Sequence, residues 1–268
     1  MRKSQLYRKS HRYKRKKPIY RNRFFWFSIL FLIIVVGICY FVFFTPTFKI
    51  KEILISGNQT IATEDIESIV QEVLASEGDL FFITNTNKVK MTILLTHPEI
   101  GIVNVKMRLP DRIIVEIKER QAVGVWCQNE NICQKIDEEG VIFENIGEIT
   151  QGSLIVKDFV FQGEAQLGEK VIEKDDLASI FKINSQLKDS LNIPVREFVV
   201  SSEDKLTVVA EDGWELYFDV KKDVEWQLTK LKTLLSGMIS FEQRKDLEYI
   251  ELRFGNFANP KFKTISTP

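Results

Sequence analysis

The stretch LPDRIIVEIKERQAVGVW, residues 109–126, holds a turn, a strand and the seam between two folding units. Leu109-Pro110-Asp111 has turn chemistry, because proline fixes its own φ and aspartate accepts local backbone hydrogen bonds. Arg112 to Lys118 (RIIVEIK) is rich in β-branched residues and reads as a strand. From Ala122 the texture changes to short apolar runs separated by turns.

Working back from the turn, Ile102, Val103, Val105 and Met107 form the preceding strand. His97-Pro98 ends a helix over Asn87–Thr96, whose apolar face is Val89, Ile93 and Leu94. Ile66, Ile69, Val70, Val73 and Leu74 recur at helical spacing behind Thr63, read as the N-cap, with Glu64 and Asp65 in the first turn. Phe48 to Ile55 alternates apolar and polar residues and is stopped by Ser56-Gly57-Asn58. The order is β-α-α-β-β, one small sheet covered by two helices.

Working forward, VGVW, ICQKID, VIFE and LIV suggest antiparallel hairpins. A helix over Asp175–Leu191 places Leu177, Ile180, Phe181 and Leu187 inside. Strands follow at Arg196–Ser201, Leu206–Glu211 and Trp214–Asp219, with Asp212-Gly213 as a hairpin turn. A helix over Val224–Met238 carries Leu228, Leu231, Leu234 and Leu235 on one face. The last strand is Tyr249–Phe254. The fold class is α+β: a single N-terminal transmembrane helix, the β-α-α-β-β unit, then a mostly antiparallel β domain with two helices.

The helix ahead of both units is FFWFSILFLIIVVGICYFVFF, Phe24–Phe44, a run without charge. As an α-helix it spans about 31 Å, close to the ~30 Å hydrocarbon core of a bilayer. Phe43-Phe44-Thr45-Pro46 is poor cleavage context, so the run reads as an uncleaved anchor. The chain's 37 Lys and Arg balance its 37 Asp and Glu, but unevenly. Residues 1–44 hold no acid, and eleven of the positive charges precede Phe24. The remainder keeps 26 positive against 37 negative charges. A basic flank places the N-terminus in the cytoplasm and residues 45–268 outside it. The same charge reads as an orientation signal rather than a nucleic-acid site.

Little here suggests catalysis. There are two histidines: His11 in the basic tail, and His97 before a proline at a helix end. Nucleophile-elbow, zincin and phosphate-loop patterns are missing, so no catalytic residue, metal or cofactor is assigned. Cys39 lies in the apolar run. Cys127 and Cys133 flank a short loop between strand-like runs and read as a disulfide, with a two-ligand metal half-site or two free thiols as rival readings. In the last strand, Tyr249, Glu251 and Arg253 share one face, and Ile250, Leu252 and Phe254 the other. Its backbone edge is read as open to a partner strand.

FKIKEILISGNQTI (48–61), the stretch quoted first, KIDEEGVIF (135–143), LTKLKTLL (228–235) and YIELRFGNF (249–257), in this order behind a basic tail and one anchor, resemble the FtsQ/DivIB bacterial cell-division family. The resemblance covers nearly the whole chain. It implies a basic tail at 1–23, a transmembrane helix at 24–44, a POTRA domain at 48–119, the family's β domain at 120–255 and a short C-terminal tail at 256–268. It further implies a scaffold at the division septum, not an enzyme, that binds the FtsB/FtsL pair (FtsL and DivIC in Gram-positive naming) and meets FtsK, FtsW and the septal transpeptidase. Tyr249, Glu251, Arg253, Phe254, Gly255 and Phe257 fall at or near the family's partner-binding positions. Arg253 would meet a partner carboxylate, and Phe254 or Phe257 would be the aromatic anchor. The alternatives are a POTRA-containing export component, which would require a membrane β-barrel, and a membrane-anchored cell-wall enzyme.

Overall fold

The computed structural model describes residues 23–128, 132–150 and 152–263; the basic tail ahead of Arg23 lies outside them. Helix α1 (Arg23–Phe44) has 22 residues, none of them buried by the rest of the chain. A helix this apolar with no buried residue suits an apolar solvent, and the length and composition of α1 fit a membrane anchor. Pro46–Phe48 forms one 3₁₀ turn directly after it.

The first unit runs β1 (Glu52–Ser56), α2 (Thr63–Glu77), α3 (Thr86–Thr96), β2 (Ile100–Arg108) and β3 (Arg112–Glu119). The strand order is β1-β3-β2, with β3 parallel to β1 and antiparallel to β2. Ile113, Val115 and Ile117 alternate along β3 and pack on Ile66, Val70, Val73, Val89 and Ile93 from the two helices. RIIVEIK is therefore the central strand, not an edge. The open edges of this sheet are β1 and β2.

Three local details differ from the sequence reading. The first strand starts at Glu52, because residues before it follow the helical turn at Pro46 and pair instead with the 79–81 loop. Thr63 is the first residue of α2 rather than its cap. Ala62 holds the cap position, and the Thr63 hydroxyl accepts from Asn58 Nδ2 at 3.0 Å. Helix α3 begins at Thr86 behind an asparagine cap the sequence reading lacks. Asn85 accepts from the Asn87 and Lys88 amides.

The second unit runs β4 (Gly124–Gln128), β5 (Ile132–Ile136), β6 (Ile142–Asn145), β7 (Ile155–Asp158), α4 (Lys174–Ser185), β8 (Val195–Ser202), β9 (Lys205–Ala210), β10 (Glu215–Phe218), α5 (Val224–Gly237), β11 (Leu247–Glu251) and β12 (Asn259–Phe262). All nine strands form one sheet in the order β12-β11-β10-β9-β8-β7-β4-β5-β6. Helices α4 and α5 cover one face, and Trp126, Phe198, Trp214, Phe218, Leu177, Leu231 and Ile250 fill the space between.

Several expectations shift here. The LIV strand is no hairpin: β7 lies parallel to both β4 and β8. Helix α4 gives way at Gln186 to one π turn ending at Ser190. Phe181 is half-buried, and Ile183 takes the inside position beside Ile180. At the β9–β10 turn only Gly213 has positive φ. Its amide donates to Ala210 O at 2.9 Å, which is a type I turn closed by a glycine bulge.

Two glycines have no substitute. A Cβ on Gly57 would stand 2.0 Å from Ile117 O, and one on Gly140 1.9 Å from Ile172 O, both at positive φ. Each lets a turn press against a neighbouring strand or loop.

Glu119, the last residue of β3, organises the loop after Gly57. Its carboxylate accepts from the amides of Gln59 at 2.6 Å, Thr60 at 3.0 Å and Ile61 at 3.2 Å, and from the Thr60 hydroxyl. Burial works to raise its pKa, but these bonds prevail and lower it from 4.5 to about 2. The depressed value means the stabilisation is complete above pH 4.5 and is lost as pH falls toward 2. We predict that Glu119→Gln costs about 1 kcal/mol at neutral pH, and that the gap between variant and wild type closes across that acid range. Urea unfolding against pH measures it; a gap independent of pH would contradict the assignment.

Candidate partner-binding edge

The ladder Ile250↔Leu216 on β10 places β11 parallel to its neighbour, with Ile250 and the following Leu252 in the core. Tyr249 and Glu251 face away from the helices. Tyr249 stacks on Tyr217 at 4.7 Å between ring centroids. Lys205 lies over the Tyr217 ring and Lys261 over the Tyr249 ring. The Tyr217 hydroxyl donates to Glu215 at 2.8 Å; burial first, and then that carboxylate, push the phenol's pKa well up.

The strand does not run to Phe254. It ends at Glu251, the chain turns, and β12 returns antiparallel on the outer side, pairing Asn259 with Glu251 and Phe262 with Leu247. So the edge of β11 is not open, and the residues expected as a tail include a strand. The free edge at this end of the sheet is β12. Pro260 sits within it, where an edge strand tolerates a missing N–H.

Arg253 is already paired. Its Nε and an η nitrogen hold both Glu251 oxygens at 2.9 and 2.8 Å, so the expected partner carboxylate is supplied by the same chain. Burial raises the Glu251 pKa, but the Arg253 bonds outweigh it and leave the carboxyl below its ordinary value. Phe254, read as sharing a strand face with Ile250 and Leu252, does not join them in the core but points outward at 51% exposure. Arg253 and Lys222 flank its ring at 4.7 and 5.3 Å. Phe257 is 79% exposed, and Phe262 is exposed on β12. Gly255 has a φ of 63° and open space where a Cβ would sit. The six expected residues are therefore brought together around one turn, as a paired ion bridge and two exposed aromatic rings, that of Phe254 flanked by cations.

Lys230 of α5, which the sequence reading passed over, holds this turn in place. It is buried, and its ammonium donates to Leu252 O, to Gly255 O at 3.2 Å and to Phe254 O at 3.4 Å. Burial pulls its pKa down, with Glu251 opposing. Three successive-turn carbonyls bound by one buried donor leave little freedom for residues 252–255. Lys232, two positions on, is exposed. The one available signal was spacing: Gln227, Lys230, Leu231 and Leu234 fall on the buried face of α5.

At the far side of the sheet, Cys127 and Cys133 are direct partners across β4 and β5 and form a disulfide. Among the described residues, no group of three or more His, Cys, Asp or Glu side chains is disposed to hold a metal ion.

The FtsQ-type POTRA domain family matches residues 48–120, and the C-terminal domain family of the cell division protein FtsQ/DivIB matches residues 124–253. The second match stops short of β12. The cell division protein DivIB of Clostridium tetani is 29% identical over 158 residues, 59% of this chain and 57% of that protein. The DivIB of Clostridium acetobutylicum is 32% identical over 126 residues, 47% of this chain and 49% of that one. The alignments thus span about half the length of these two relatives. DivIB of Bacillus anthracis is 26% identical over 236 residues, 85% of this chain and 82% of its own. The chain belongs to the FtsQ/DivIB family of cell-division proteins.

Two predictions follow from the local geometry. Lys230→Met removes the common donor of three carbonyls and should cost roughly 1–3 kcal/mol, with faster amide hydrogen exchange confined to residues 252–257. Unchanged exchange there in a folded variant would overturn the pinning role. Because Cys127 and Cys133 face each other in register, thiol titration of denatured, unreduced protein should find Cys39 alone. Three titratable thiols would refute the cross-link.

Proposed function

We propose that this protein is a non-enzymatic, single-pass division scaffold whose β12 edge receives a strand from an FtsB/FtsL-type (DivIC/FtsL) membrane protein. The observation that carries the reading is the outer side of β12, unpaired among the described residues and flanked by the exposed rings of Phe254, Phe257 and Phe262. A strand laid on β12 gains main-chain hydrogen bonds, and the rings supply apolar anchors beside it. Lys261, bound to Glu248 at 3.1 Å, places charge along the edge and discourages indiscriminate pairing. Arg253 contributes by bracing the turn through Glu251, and not as a free cation.

On this reading the basic tail lies in the cytoplasm and both folded units lie outside, concentrated at the septum. The open β1 and β2 edges of the POTRA unit would serve other division proteins, among them FtsK, FtsW and the septal transpeptidase. The scaffold would act on septal peptidoglycan synthesis by holding these partners together.

The test measures binding of the full-length protein to the extracytoplasmic segment of the FtsB/FtsL-type pair. Phe257→Ala combined with Phe262→Ala should weaken binding roughly tenfold or more. Both rings are exposed, so thermal stability should hardly change. Wild-type affinity in a folded double variant would sink this site.

A further inference from the structure

Where α1 meets the first unit, four phenylalanines form a chain of contacts. Phe41, in the last turn of α1, lies 5.9 Å from Phe48 between ring centroids; Phe48 lies 5.3 Å from Phe82, and Phe82 5.3 Å from Phe81. The loop bearing Phe81 and Phe82 is fastened to the chain leaving α1. Phe81 N donates to Phe48 O at 2.9 Å, Ile50 N donates to Asp79 O at 2.8 Å, and the Lys49 ammonium pairs with Asp79 at 2.9 Å. Within the loop, Ile83 N and the Thr84 hydroxyl both donate to Leu80 O.

The loop nevertheless presents Phe82 at 57% and Ile83 at 54% exposure. The β2–β3 turn reaches the same end, since Lys51 N donates to Asp111 O at 2.9 Å, and its Leu109 is 59% exposed. Three large apolar side chains thus stand uncovered beside the mouth of the membrane helix. A residue two ring contacts from Phe41 lies at the depth where α1 leaves the hydrocarbon. Lys51 and Arg108 supply cations at the same end, suited to lipid phosphates, while Lys49 and Arg112 are paired there with Asp79 and Glu52.

We propose that the 80–84 loop and Leu109 form a second membrane contact. Phe82, Ile83 and Leu109 insert into the headgroup–acyl boundary of the leaflet in which α1 ends. The contact fixes the POTRA unit against the bilayer, where a lone helix and a short linker would let it swing. The inference rests on α1 being a membrane span.

The test uses the full chain in nanodiscs of phosphatidylcholine and phosphatidylglycerol, with Cys39→Ser, Cys127→Ala and Cys133→Ala as background. An environment-sensitive fluorophore is attached through Ile83→Cys, Leu109→Cys or, as control, Glu64→Cys in the first turn of α2. Nitroxide-headgroup lipid should quench the labels at 83 and 109 at least about twofold more than the label at 64. Adding Phe82→Asp should reduce quenching at both. Equal quenching at all three sites overturns the proposal and leaves the patch to a protein partner. A chain that fails to co-float with nanodiscs refutes the span itself, and with it the inference.

Discussion

The position of the second unit relative to the first depends on Arg120. This residue ends the first unit and begins the second. Its amide donates to Glu99 O at 2.7 Å and its Nε to Pro98 O at 3.0 Å, while its η nitrogen pairs with Asp137. Both partners of the pair are largely buried. Such a pair contributes modestly to net stability, but losing one member strands a buried charge, so the geometry is strongly enforced. Asp137 in turn accepts from the Glu139 and Val141 amides, shaping the turn whose Gly140 presses on Ile172. One guanidinium therefore links the His97–Glu99 corner of the POTRA unit to the first hairpins of the large sheet. The stretches RQAVGVW and KIDEEGVIF build this junction.

From the junction the sheet carries rigidity sideways. Nine strands share one hydrogen-bonded ladder, so β12 is related to the junction by packing and not by a flexible tether. The last step is the one the sheet alone would leave loose, because the chain leaves β11 at Leu252 and must come back at Asn259. Lys230 supplies the restraint. A buried ammonium is costly unless it is well bonded, and three carbonyls satisfy it. The arrangement presents Phe254 and Phe257 on a fixed turn, which lowers the ordering cost of any contact they make.

The parts of this fold that were legible in the sequence are those in which burial follows a simple period. RIIVEIK alternates because β3 is central, with one face on two helices, and Leu228, Leu231, Leu234 and Leu235 recur because α5 lies flat on the sheet. The anchor needed only length and the lack of charge. Strand β12 was illegible for a complementary reason. Asn259-Pro260-Lys261-Phe262 is short, exposed and broken by proline, so it carries no alternation, and only its pairing to β11 makes it a strand. Missing it turned an internal strand into an apparent edge. Arg253 misled in a related way: Glu251 and Arg253 were both visible on one face, and two residues apart on a strand they are close enough to pair with each other. Lys230 was hidden by its type, since lysine on an amphipathic helix is read as solvent-facing while the spacing that places it inside is a weaker signal.

These restraints act in series. The membrane holds α1, the aromatic chain from Phe41 to Phe82 couples α1 to the first sheet, Arg120 couples the first sheet to the second, and Lys230 fixes the terminal turn on the second. In a series the loosest member sets the uncertainty in where β12 stands relative to the bilayer. Arg120 and Lys230 are buried and multiply bonded, so neither is that member. The linker at Thr45–Phe48 is the weakest by covalent count, for it consists of one 3₁₀ turn between a lipid-facing helix and a soluble sheet. The loop of Phe81 and Phe82, fastened to that turn by backbone bonds, is the kind of device that stiffens it. Under the proposed function, two chains rooted in one bilayer would meet at a height set by their linkers, and an edge held at constant height would limit the search for strand pairing to the plane of the membrane.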